Sequence, residues 1–149
     1  MAANPQRLAV CVAGAVLVLL AMLVPAVPED RGVVQQPAWQ VAIAAQIEAF
    51  RRGDADAAFG LAGAGFHEAF SDARQFAASV RLSGYAPLLD ALSFSFQGFT
   101  IEPGGDVVQE VRVLAPDQRI YLATYRMTLE PEGWRVQGVG LERTRGVGI

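Results

Sequence analysis

The sequence predicts an α+β domain in which N-terminal helices pack on a curved antiparallel sheet of about four strands, preceded by an apolar leader helix. Three observations predict it. Apolar residues recur at helical spacing up to about Arg81, the period changes to two after Pro87, and the later apolar runs are separated by very short connections.

The leader comes first. From Leu8 to Pro28 no residue is charged, with Arg7 before the stretch and Glu29 and Asp30 after it. This pattern predicts a signal peptide or transmembrane anchor over residues 1–28, with the N-terminus inside and the domain outside. Residues 8–27 are long enough to contact and span a membrane if retained. Val24-Pro25-Ala26 also places small residues where a signal peptidase reads, so cleavage near Ala26 competes with anchoring. Either outcome predicts an exported domain on the periplasmic side. Residues 29–37, polar and without periodicity, read as a linker, and residues 38–145 as a single domain.

Within that domain Trp39, Ile43, Ile47 and Phe50 share one helical stripe, Arg51 and Arg52 occupy the last turn, and Gly53 stops the helix. Asp54 is placed to cap a short second helix, Ala55 to Leu61, before Gly63 and Gly65 interrupt it. Ser71 is the expected cap of a third helix running to about Arg81, with Phe76 and Val80 inward. Then Leu92, Phe94 and Phe96 alternate with Ser93, Ser95 and Gln97 as a half-buried strand, and the parity changes at Phe99 and Ile101. One extra residue at Gly98, a β-bulge, produces that change. Strands follow at about Val107–Leu114, Arg119–Leu129 and Trp134–Arg143. Pro103-Gly104-Gly105, Pro116-Asp117 and Pro131-Glu132-Gly133 separate them, and connections so short imply an antiparallel meander. In the third strand Tyr121, Ala123, Tyr125, Met127 and Leu129 share the core side.

Composition narrows the chemistry. Apolar residues make up 52% of the chain, enough for a single core, and the net charge is -3. All basic residues are arginines scattered among acids, which argues against a nucleic-acid surface. The single cysteine, Cys11, lies in the leader without the small residue expected before a lipidated cysteine, so disulfides and thiolate metal sites are excluded from the domain. With one histidine, no multi-histidine metal site is available and no cofactor is expected.

The passage Gln46-Ile47-Glu48-Ala49-Phe50-Arg51-Arg52-Gly53-Asp54, then Phe70, Phe76, Val80, Gly84-Tyr85-Ala86-Pro87, Tyr125-Arg126-Met127 and Gly133-Trp134-Arg135-Val136-Gln137-Gly138, resembles the bacterial family called domain of unknown function 4864. The resemblance runs from about Ile43 to Leu141. It implies an export or anchor segment and a cystatin-like or nuclear transport factor two-like cone, and it carries no established activity or catalytic residue.

A cone of this kind often encloses a pocket, for which the candidates are Gln109, Tyr85, Tyr125 and His67. Gln109 lies on the apolar face of Val107, Val111 and Val113, where a buried amide needs partners, in a pocket or in the core. Tyr85, Tyr121 and Tyr125 are hydroxyl donors if a pocket exists and ordinary packing residues if not. His67 beside Glu68 fits either a pocket mouth or a solvent-facing helix start. Asp54 and Asp56 point to different helix faces and do not make a carboxylate pair. Arg112, Arg126 and Arg135 form either an anion stripe or a solvated outer sheet face.

The leading expectation is a non-catalytic module holding a small apolar ligand or a protein partner. An isomerase- or dehydratase-like acid–base enzyme and a homodimerising structural domain are the alternatives.

Overall fold

The computed structural model describes residues 35–145. The apolar segment 8–28, Cys11, Ala26 and most of the linker lie outside the described residues. Among those described, no helix is long and apolar enough to cross a membrane.

Five short helices precede four strands. Helix α1, Ala38–Arg51, buries Ile43, Gln46, Ile47 and Ala49, and the bonds Gly53 N–H to Phe50 O and Asp54 N–H to Ala49 O close it in a Schellman turn. Helix α2, Ala55–Gly60, is capped by Asp54, whose carboxylate accepts the Ala57 N–H. Helix α3, Ala64–Ala69, begins where the glycines were expected only to interrupt. Helix α4, Ala73–Val80, is capped by Asp72, not Ser71. The Asp72 carboxylate accepts the Gln75 N–H at 2.8 Å, while the Gln75 side chain accepts both the backbone N–H and the hydroxyl of Ser71. Ser71 therefore stands one position outside the cap, and Gln75, at the third helical position, reaches back past Asp72 to bond it, a variant of the capping box.

The helical path does not end at Arg81. A π turn over Arg81–Tyr85 leads into α5, Ala86–Leu89, with Pro87 in its first turn and Leu88 and Leu89 buried. Gly84, at φ +91, supplies the left-handed residue that turns α4 into α5. Apolar periodicity cannot reveal so short a helix, and Pro87, which reads as a break, is favourable at a helix start.

The sheet is a curled antiparallel meander in the order β1 (Ser93–Ile101), β2 (Val107–Leu114), β3 (Ile120–Glu130) and β4 (Gly133–Arg143). The expected bulge is present: Phe96 pairs with Val111 and Phe99 with Gln109, so Gln97 and Gly98 together face Glu110. A second bulge lies in β4, where Gln137 stands between Val136, opposite Met127, and Gly138, opposite Arg126. It moves the apolar positions of β4 from Trp134 and Val136 to Val139 and Leu141. Leu129, expected in the core, is 63% exposed: it lies beyond Met127, the last β3 position paired with β2, so that in the sheet only Trp134 of β4 stands beside it. Leu92 lies just before β1 and is 47% exposed.

Two apolar clusters hold the layers together. The larger joins Ile43, Ile47, Leu88, Val107, Val111, Val113, Tyr125 and Met127 between α1, α5 and the sheet. In the smaller, Phe76 of α4 is the hub: Phe50, Phe59, Phe66 and Phe70 all pack on its ring with centroids 5.0 to 6.0 Å away.

The α2–α3 connection also docks on the edge of β4. Val136 N–H donates to Leu61 O and Gly63 N–H to Val136 O, a parallel bridge that covers part of an open edge. Gly63 is required by close approach, because a Cβ there would run into the Gln137 side chain. Glu130 completes the junction, its Oε1 accepting from Ala64 N and Gln137 Nε2 at 3.0 and 2.7 Å.

Candidate functional site

A half-open cavity of about 170 Å³ lies between the helices and β4. The amphipathic stripe of α1 brings Gln46 and Phe50 to it, α3 and the residue after it bring Phe66 and Phe70, and α4 brings Phe76, Ser79 and Val80. Ser83 and Tyr85 come from the π turn, Leu88 from α5, and Val136 and Val139 from either side of the β4 bulge. The bulge is what lets both valines face the same space, since strict alternation would turn one of them away.

Among the described residues, the lining contains no carboxylate, histidine or arginine. Its polar groups are the Gln46 amide, the hydroxyls of Ser79 and Ser83, and the Tyr85 phenol. Tyr85 Oη donates to Val139 O at 2.6 Å, which ties the π turn to β4 and leaves only oxygen lone pairs for a ligand. Gln46 is 3% exposed, and its Nε2 donates to Ala58 O at 3.1 Å. Ser83 is exposed and marks the mouth.

A sequence model of the family described as domain of unknown function (DUF4864) matches residues 34–149. This chain belongs to the DUF4864 family. No curated protein and no solved structure matches it.

Of the residues nominated from sequence, the DUF4864 fold brings only Tyr85 to the cavity. Gln109 is fully buried elsewhere as a structural pin. Its Oε1 accepts from Trp39 Nε1 and Gln40 Nε2, and its Nε2 faces the carbonyls of Gln97, Gly98 and Glu110. It thus fastens the start of α1 to the β1 bulge. Tyr125 is enclosed in the main core, its hydroxyl has no hydrogen-bond partner among the described residues, and burial pushes its pKa well above that of a free phenol. Buried tyrosine hydroxyls usually find a partner, and Tyr125 departs from that rule. His67 is exposed, with its ring 4.1 Å from that of Phe59 and outside the cavity lining.

Two of the three arginines of the sheet are engaged within the fold. Arg126 pairs with Glu102 and Asp106, and Arg135 donates to the carbonyls of Trp134 and Glu132. Among the described residues, no group of three or more His, Cys, Asp or Glu could hold a metal ion.

Gln46, Ser79 and Ser83 escape the sequence reading. Gln46 carried a signal, because it interrupts the apolar stripe of Ile43, Ile47 and Phe50 just as Gln109 interrupts that of β2.

Proposed function

We propose that this DUF4864 domain is a non-catalytic binding module that holds a small neutral, mostly apolar ligand in the cavity between α1, α4 and β4. One observation carries the reading: the wall combines four phenylalanine rings with uncharged polar groups only. Apolar walls with a few convergent polar groups are the usual make-up of a small-molecule site. A volume near 170 Å³ matches a ligand about the size of a substituted benzene, since an apolar cavity of roughly 150 Å³ holds benzene. Acid–base catalysis needs a titratable group beside the substrate. The phenol of Tyr85, its proton engaged by Val139 O, is the one such group in the lining.

The test is native mass spectrometry of the full chain for a retained small molecule, combined with calorimetric titration of toluene. The expected result is saturable binding that Ser83→Trp, a change at the exposed mouth, weakens at least tenfold without unfolding the protein. Absence of saturable binding overturns the reading.

We further propose that the domain works on the periplasmic side, delivered by residues 8–28. The uncharged stretch between Arg7 and Glu29 supports this. An alkaline phosphatase fused after residue 145 should be active in cells. A fusion that accumulates at full length yet stays inactive, like one made without residues 1–28, sinks the export reading.

A further inference from the structure

Gln46 is a large polar residue in the middle of an apolar helix stripe, 3% exposed and in the wall of the cavity. Its amide orientation is set by chemistry, because Ala58 O can only accept and so must face Nε2. The amide oxygen is left without a hydrogen-bond partner among the described residues. It is not one of the fully enclosed orphan atoms, which reduce to Tyr125 Oη, so it is reached through the cavity.

Ala58 does not explain why a glutamine stands here. The Ala58 carbonyl already accepts from Leu61 N–H, so a leucine at position 46 would leave it bonded. Facing the half-open cavity, this oxygen takes its donor from whatever occupies that space, and an occupant that displaced solvent without supplying a donor would leave it unpaired at a cost. A second group of the lining is of the same kind: with its hydrogen committed to Val139 O, Tyr85 Oη also presents lone pairs, while the hydroxyls of Ser79 and Ser83 can donate or accept. No cation and no anion lines the space.

We infer that the ligand of this cavity carries one neutral hydrogen-bond donor, a hydroxyl or N–H on an otherwise apolar body, and that Gln46 Oε1 receives it. The inference rests on the cavity being the ligand site and names the chemistry of its occupant. Carboxylates are disfavoured, because an anion would find only the neutral hydroxyls of Ser79 and Ser83 among the donors of the lining, with no cation to offset its desolvation. An ammonium group would be buried without a counter-ion.

Phenol, anisole, toluene, benzoate and benzylamine share one ring and differ in the head group, so their titration into the full-length protein tests this. Phenol is expected to bind about tenfold tighter than anisole, the effect of one buried hydrogen bond. Gln46→Met should erase that ratio while leaving toluene binding within about twofold. A second readout needs no variant: the side-chain amide of Gln46, followed by NMR, should shift with phenol and stay in place with toluene. Equal binding of phenol and anisole with no shift at Gln46, or a preference for benzoate or benzylamine, overturns the donor inference and leaves the ligand site standing. Failure of all five to bind overturns both.

Discussion

The indole N–H of Trp39 donates to the side-chain oxygen of Gln109 at 3.2 Å, across 70 residues of sequence. The same amide holds both carbonyls of the β1 bulge through its nitrogen, so one side chain joins the first turn of α1, β1 and β2. Replacing it with leucine would leave two carbonyls and an indole N–H without their partner inside the protein. Gln109→Leu is therefore expected to lower stability by about 2–4 kcal/mol in urea unfolding. The tryptophan emission of the folded state should shift with it. A loss under about 0.5 kcal/mol would show that the amide is dispensable.

Gly63 and Gln137 form a tight pair with a different prediction. The amide of Gln137 cannot simply withdraw from a Cβ at position 63, because Glu130 holds it at 2.7 Å. Gly63→Ala should cost about 1–3 kcal/mol, and adding Gln137→Ala should recover most of it. Additive losses in the double variant would show that the two residues do not meet.

Glu130 should make the fold acid-sensitive. The Ala64 N–H does most to hold its carboxyl below the ordinary value of 4.5; burial opposes it, and the Gln137 amide and the charges of Arg135 and His67 add smaller lowering effects. A depressed carboxylate contributes stability that is full above its unfolded pKa and is lost as pH falls through the lower folded value. The stability difference between the natural protein and Glu130→Gln should be constant near neutrality and shrink below about pH 4.5. A difference that stays constant down to pH 2 would contradict this.

Phe76 and His67 both touch the aromatic cluster, with opposite expectations. Phe76, 3% exposed at its centre, should cost about 3–5 kcal/mol as Phe76→Ala and abolish toluene binding. His67→Ala, at the exposed rim, should change stability by less than about 0.5 kcal/mol and leave binding intact. Loss of binding in the histidine variant would move the site toward α3.

Much of the architecture was legible because it is written locally. The stripe from Trp39 to Phe50, the alternation from Phe94 onward and the parity change at Gly98 each need only a few neighbouring residues to read. The parity change from Val136 to Val139 was equally present and marks the second bulge. Helices α3 and α5, with six and four residues, are too short for a period to appear. Asp72 against Ser71 is a choice between two good caps one residue apart, settled only by where the chain turns.

The candidate site was much less legible. Gln46 and Gln109 show the same signal, a polar residue in an apolar stripe, yet one faces the cavity and the other is pinned in the core. Their partners decide this: Ala58 lies 12 residues from Gln46, and Trp39 lies 70 from Gln109. The sequence by itself determined the succession of helices then strands, the antiparallel meander and the absence of thiol and multi-histidine chemistry from the domain, because periodicity, turn residues and composition act over short range or over none. Only the tertiary structure decided which polar groups are satisfied and which face an open space. Satisfaction of a buried donor or acceptor depends on what the rest of the chain brings to within about 3 Å of it.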